Sequence, residues 1–340
     1  MPKISTIHKS INRAANNAHV TSQDINTLKW VIFSDHHRGQ RDGADDFLTC
    51  EKAYIKALNY YYENGYTLLL LGDVEEFWEN PLTMVLQKYN NILELEKKFF
   101  NDGRLLRIWG NHDDVWRYKS TIAKHLNFIF PQIIAHEAIN LKLVDDDKPV
   151  GEILFIHGHQ GTLASERWAW LSKIFVKIFW RNLQRIFKFP LSTPSNSISL
   201  KSDHDHAMYE WAAAKQNSII ICGHTHQPVF MSHTHIDELM LTKKEIMMDD
   251  TMDRDLKNEK LEEIDKVIEG LQKDGVLYNT DLEHRKPCYF NSGCCSFSDG
   301  DITGLEIVEN EIKLIKWNLH RNEAQLKKKN KLSSVINALD

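Results

Sequence analysis

Residues 67–76 read TLLLLGDVEE: a short run of strand-forming and apolar residues stopped by Gly72, then Asp73 and the carboxylates Glu75 and Glu76. Such a run reads as a buried strand, and a glycine at its end lets the chain turn sharply and bring an aspartate close to a shared centre. The pattern recurs on both sides. The run 28–33 leads into Ser34-Asp35-His36-His37, 105–109 into Gly110-Asn111-His112-Asp113, 153–156 into His157-Gly158-His159, and 219–222 into Gly223-His224-Thr225-His226. Helix-period segments at 46–64, 83–101 and 204–216 lie between these strands, and this alternation implies crossover connections, a largely parallel sheet and the α/β class.

In an open parallel sheet the loops after the carboxyl ends of the strands converge on one crevice. Five ligand-bearing loops then meet there. Two Asp, one Asn and four His are available with one His set aside, more than a single ion needs, so two divalent metal ions fit better than one. Near the C-terminus, runs at 289–292, 304–308 and 312–317 separated by tight turns predict antiparallel strands and a second sheet packed on the first. Two stretches interrupt this scheme. Residues 160–203 are basic and aromatic, and residues 232–286 are polar and mostly acidic, with a helix predicted over 254–273. The expected organisation is one domain over 22–320 carrying these two insertions, with terminal extensions at 1–21 and 321–340. The Lys327, Lys328, Lys329 and Lys331 cluster is read as a solvated tail.

The 340 residues are 42% apolar with 15 Gly and 8 Pro, a globular composition. Subtracting 47 acidic from 42 basic residues gives −5, which argues against a nucleic-acid binder and predicts no specific nucleic-acid partner. That sum hides a patch, because 167–202 contains no acidic residue and carries seven basic ones, leaving −12 for the remainder. Five cysteines with no CxxC spacing give neither a disulfide framework nor a thiolate zinc site, and no signal peptide or membrane span is read. The expected location is cytoplasmic, peripheral on the inner face of the membrane.

The ordered set Asp35-x-His37, Gly72-Asp73, Gly110-Asn111-His112-Asp113, His157 and Gly223-His224-x-His226 resembles the calcineurin-like metallophosphoesterase superfamily, from about residue 28 to 317 without the two insertions. The resemblance implies two packed β-sheets flanked by helices, here with a helical cap insertion. It implies one metal on Asp35, His37, Asp73 and His226 and another on Asp73, Asn111, His157 and His224, with manganese first and iron, zinc or cobalt as alternatives. Such a pair clamps the attacking and leaving oxygens of a phosphoryl displacement and acidifies a bridging water. His112 looks like the acid for the leaving oxygen, with Glu76 as its orienting carboxylate.

Other residues carry a plainer reading beside the functional one. Arg38 and Arg117 could fork a substrate phosphate or form surface ion pairs, and His159 could face the substrate. His36, beside two ligands on a strand end, is expected to point away from the metals. Asp113 can cap the following turn. Trp109 and Trp116 are read as packing, His204 and His206 as surface residues, and His233-Thr234-His235 as a chance copy of the His-x-His motif.

From Trp168 to Phe189, Lys173, Lys177, Arg181 and Arg185 recur every fourth residue among Trp, Phe, Ile and Leu. On a helix this makes a cationic stripe beside a wide apolar surface, as in helices lying in a membrane interface, so 167–189 is expected to meet an anionic membrane surface. Its place between His157 and the Gly223 loop is similar to that of the cap of the UDP-2,3-diacylglucosamine diphosphatases of lipid A synthesis, as is Gly72-Asp73-x-x-Glu76-x-Trp78. That branch has Arg where this chain has His112, and 232–286 has no counterpart there. The expected function is dinuclear hydrolysis of a phosphoester or pyrophosphate bond in an amphiphilic or lipid-linked substrate such as UDP-2,3-diacylglucosamine. Alternatives are a phosphodiesterase or phosphatase on soluble nucleotides, nucleic-acid ends or phosphoproteins, and a non-catalytic scaffold of the same fold.

Overall fold

Strand β2 (Lys29–Phe33) buries four of its five residues and alternates them between two cores. Trp30 and Ile32 join one apolar cluster while Val31 and Phe33 join another, and in β3 (Thr67–Leu71) Leu69 and Leu71 separate from Leu68 and Leu70 in the same way. A strand covered on both faces has no polar side, which is why these runs are continuously apolar. This computed structural model describes residues 4–161, 196–249, 251–273, 282 and 284–340, with side chains from all of these except 196–203. The basic segment 167–189, and with it the expected cap, lies outside the described residues.

Two mixed sheets form the centre. In the seven-stranded sheet, β2 and β3 run parallel to β4 (Leu105–Ile108) and β5 (Ala135–His136). On the other side of β2, β10 (Ile302–Val308), β11 (Glu311–Trp317) and β12 (Gln325–Lys331) follow antiparallel. The five-stranded sheet has the order β1 (His19–Asp24), β6 (Ala138–Asp145), β7 (Lys148–Ile156), β8 (Ser218–Cys222), β9 (Tyr289–Asn291). Apolar residues of both sheets, among them Leu69, Ile139, Phe155 and Ile220, share one cluster. Helices α2 (Glu51–Glu63), α3 (Leu82–Lys88) and α4 (Asn90–Asn101) supply Tyr54, Tyr61, Val85, Ile92 and Phe99 to the cluster on the far face of the larger sheet. A short helix, α5 (Lys119–His125), follows β4.

The sequence expectations need four corrections. The five ligand-bearing strands do not share one parallel sheet: β2, β3 and β4 lie in one, β7 and β8 in the other. The C-terminal antiparallel pair extends the first sheet instead of starting a second, and β9 pairs parallel with β8. The domain exceeds 22–320 at both ends. Ile7, Ile11 and Ala14 of α1 (Ile4–Asn16) are buried in the core shared by the sheets. So are Leu332, Val335 and Ile336 of α9 (Leu332–Asn337), and Leu339 beyond it. The terminal lysines are not a tail, since they lie in β12 at the sheet edge, where Lys328 pairs with Glu238 and Lys329 with Glu311. A lysine-rich edge strand resists pairing with a second chain.

Within 232–286, the predicted helix is α8 (Arg254–Lys273), packed on α7 (His235–Met248) through Lys243 and Asp265. The second His-x-His is a helix start. Thr234 caps α7, its side chain accepting from the Asp237 N–H while the Asp237 carboxylate accepts from the Thr234 N–H. Helix α6 (Asn196–Ala213) returns the chain to β8. Among the described residues no helix is long and apolar enough to cross a membrane.

Candidate functional site

Asp35, His37, Asp73, His224 and His226 all adopt left-handed backbone, with φ between 51° and 70°. Side chains other than glycine are uncommon there, and such strain persists where the surroundings impose it, as at functional sites. The glycines explain how the loops approach. A Cβ on Gly72 would stand 2.5 Å from His157 Nδ1, and one on Gly110 would collide with the Asp73 carboxylate.

These turns bring together side chains from both sheets. Asp35, His37 and His226 form one group able to hold a metal ion, and Asp73, His157 and His224 form a second. In the first, His226 Nε2 lies 3.1 Å from His37 Nε2 and 3.3 Å from Asp35 Oδ1. In the second, His157 Nε2 lies 3.1 Å from Asp73 Oδ2. The same Asp73 oxygen is 3.9 Å from His37 Nε2, which places Asp73 between the groups.

The donor atoms fit divalent ions. Asn111 Oδ1 is buried without a hydrogen-bond partner, a costly state that a bound cation relieves, while Asp35 Oδ1 and His157 Nε2 meet other candidate ligands at 3.3 and 3.1 Å. His157 donates Nδ1–H to the Leu71 carbonyl at 2.9 Å, so its Nε2 faces Asp73. Without a metal, burial disfavours the His157 imidazolium, but Asp73 and Asp35 outweigh it and raise the pKa to about 9. Burial opposes charge on Asp35 too, yet His157 and His226 hold its carboxyl well below the usual range. His224, pushed well below 6.5 by burial and His157, is a neutral donor.

His112 stands beside the first group, its ring 4.6 Å from that of His37. Its backbone N–H donates to Asp73 Oδ1 at 2.8 Å and its Nδ1 meets Glu76 Oε2. Glu76 does more than the sequence suggested, since the same Oε2 also lies 3.2 Å from His37 Nδ1. Burial works against the Glu76 carboxylate, but His112 and His37 bring its pKa to about 2. Glu76 and Asp73 in turn overcome burial to raise His112, favouring the protonated acid form.

A profile of calcineurin-like phosphoesterases matches residues 28–228. The chain belongs to that family. As a calcineurin-like phosphoesterase it is a hydrolase acting on phosphoester bonds, in a family that usually binds two divalent metals. No curated protein matches it. Two solved structures of cold-active protein tyrosine phosphatase are similar, a mutant and one from a psychrophile, Shewanella sp. Their identities to this chain are 13% and 14% and their TM-scores 0.32 and 0.28, each covering 92% of this chain and 82% of the other.

The phosphoesterase supports its loops from behind with buried charge. Arg38, read from the sequence as a phosphate fork, is fully buried and pairs with Glu96 and, at 4.0 Å, with Glu75. Its guanidinium lies over the rings of Phe47 and Tyr54, 5.3 Å from each centroid. Arg107 pairs with Glu75 and with Asp113, and Trp116 donates its indole N–H to Glu75 at 2.8 Å. Asp113 fastens two ligand loops: one oxygen accepts from the Gly110 N–H at 2.6 Å, the other from the Val74 N–H at 3.0 Å. His36 points away from the ligands, its ring 4.7 Å from Tyr54.

Arg117 is exposed and stacks on Tyr118, with no contact among the ligands. His159 is buried between Trp109 and His157, ring centroids 5.2 and 5.5 Å away, and burial with His157 pushes its pKa down to about 3. His204, read as a surface residue, is buried against the Gly158 carbonyl with its ring 5.3 Å from His224. His206 does lie at the surface.

Sequence reasoning missed the support under the Gly223 loop. Asn291, fully buried, donates from Nδ2 to the Gly223 carbonyl at 2.7 Å and to Thr225 Oγ1 at 3.1 Å. Asp205, midway along α6, accepts from Thr225 Oγ1 at 3.2 Å and from the Tyr289 hydroxyl. A signal existed: Asn291-Ser292-Gly293 ends a short apolar strand, as the other site motifs do.

Proposed function

We propose that this phosphoesterase uses a dinuclear site to cleave a phosphoester or pyrophosphate bond in an amphiphilic substrate at an anionic membrane surface, with UDP-2,3-diacylglucosamine as the first candidate. Asp35, His37, Asp73 and His226 hold one ion. Asp73, Asn111, His157 and His224 hold the other, and manganese suits this mixed carboxylate, amide and imidazole set. The observation that carries the dinuclear reading is the Asp73 carboxylate lying between two groups of candidate ligand atoms, its Oδ2 3.1 Å from His157 Nε2 and 3.9 Å from His37 Nε2. Bound there, a pair of divalent ions supplies Lewis-acid activation of water and of the phosphoryl oxygens.

The chain's own groups do the rest. His112, held on Glu76 through Nδ1, presents Nε2–H to the leaving oxygen and transfers that proton as the phosphorus–oxygen bond breaks. Glu76 keeps both His112 and His37 in the tautomers this needs. The amphiphilic substrate and the peripheral setting are supported by the acid-free aromatic segment 167–189, which lies in sequence between His157 and the Gly223 loop.

Two measurements test this. Mn²⁺-loaded protein is expected to hydrolyse activated phosphoesters and to favour UDP-2,3-diacylglucosamine in a panel that includes soluble nucleotides and phosphopeptides. Asp73→Asn and His112→Ala are each expected to lose about 100-fold or more in turnover. Full activity in both variants overturns the mechanism. Flotation with anionic liposomes is expected for the wild type and not for a variant with Lys173, Lys177, Arg181 and Arg185 changed to Glu; equal flotation overturns the membrane reading alone.

A further inference from the structure

The indole of Trp78 lies flat on the imidazole of His112, ring centroids 4.1 Å apart and planes 19° from parallel. Two hydrogen bonds hold it there. Its Nε1–H donates to the Asn111 carbonyl at 2.7 Å, and its backbone N–H donates to Glu76 Oε1 at 2.9 Å. The Glu76 carboxylate is thus divided: Oε1 closes the turn that presents Trp78, also accepting from the Glu79 N–H at 3.3 Å, while Oε2 faces His112 and His37. The Phe77 N–H reaches the His112 carbonyl at 3.2 Å, and Asn80 donates from Nδ2 to the Glu76 carbonyl at 2.9 Å. Segments 76–80 and 111–112 therefore interlock around one imidazole.

We propose that Trp78 is the positioning residue that fixes the plane of His112, so that Nε2 is aimed at the leaving oxygen. This rests on the assignment of His112 as the acid under the proposed function. Glu76 meets the ring at one edge, Nδ1, and that contact leaves the faces of the ring uncovered. The indole face, 4.1 Å away and nearly parallel, holds the ring in its plane. Orientation of this kind matters because a small misplacement of a catalytic group costs a large factor in rate.

Leaving-group dependence tests the proposal, since an acid matters most when the departing oxygen is strongly basic. Mn²⁺-loaded wild type, Trp78→Ala, Trp78→Phe and His112→Ala are compared on phosphoesters of p-nitrophenol, phenol and a simple alcohol, with bound metal measured in each. Trp78→Ala is expected to lose about tenfold more kcat on the alkyl ester than on the p-nitrophenyl ester. This leaving-group dependence should persist at saturating Mn²⁺ with kcat expressed per metal-loaded site, His112→Ala should show the same trend more strongly, and Trp78→Phe should recover most of the loss. Separately, in the metal-free protein, the His112 ring protons, assigned by their absence in His112→Ala, should shift downfield in Trp78→Ala as the ring current is removed.

An equal loss on every ester, a loss that follows metal content, or unmoved His112 resonances overturns the role of Trp78 and leaves the dinuclear hydrolase standing. A His112→Ala variant with no leaving-group dependence, or a wild type inert on all the esters, overturns the functional reading and this proposal with it.

Discussion

At the scale of single residues, the site is a balance of buried charges that only cations complete. His157 shows the consequence for pH. Its pKa is about 9 in the metal-free fold against 6.5 for the unperturbed group, so its contribution to stability is fully present below 6.5 and is lost as pH rises through 9. Metal uptake has the opposite sign, because the proton on Nε2 must leave before that nitrogen can bind. Apparent metal affinity should therefore climb with pH up to about 9, roughly tenfold per unit for each proton displaced, and calorimetry in two buffers should detect the released proton. Affinity flat between pH 6.5 and 9 would contradict the protonation state argued for this ring. Arg38 gives a second expectation. Replacing it by Ala strands Glu96 in an apolar interior and should cost about 3–5 kcal/mol in chemical denaturation, without raising KM in the protein that remains folded.

At the scale of elements, what was legible in the sequence and what was not divides along a physical line. Each ligand loop announced itself because one local pattern, an apolar run broken by glycine and a ligand, is dictated by a strand ending at a crowded centre. The seven candidate ligands Asp35, His37, Asp73, Asn111, His157, His224 and His226 could be found in that way. Arg38, His204 and the sheet assignment of β7 through β11 could not, because they depend on pairings between distant segments: Arg38 with Glu96, His204 with Gly158, β10 with β2. A charged residue beside a ligand reads as substrate contact until the carboxylate behind it is known. The Gly223 loop belongs to this long-range class, since its shape depends on Asn291 and Asp205. Asn291→Ala should weaken metal binding about 10–100-fold, most at the ion held by His224, while far-UV circular dichroism stays native. Metal titration of the variant against the wild type decides this, and unchanged affinity for both ions would remove Asn291 from the support.

At the scale of the whole molecule, the two ends of the chain close the core that joins the sheets. Ile7 and Ile11 enter it from α1, and Leu332, Val335, Ile336 and Leu339 enter it from α9 and the residues after it, with Ile336 lying against Gly151 of β7. The seven candidate ligands come from loops on both sheets, so anything that loosens the contact between sheets also loosens Asp35 and Asp73 from His157 and His224. Stability and metal geometry are then coupled through the C-terminus, far along the chain from every ligand. Ile336→Ala should cost about 2–5 kcal/mol by leaving a cavity at this seam. The metal should recover part of that loss, since an ion that binds only the folded chain stabilises it by mass action. Thermal melts with and without Mn²⁺ should show a larger metal-induced shift when the ligands of both sheets are intact than in His157→Ala. A chain ending at residue 320 should fail to give a cooperative melt at all, and a native melt from that truncation would refute the placement of β12 and α9 in the domain.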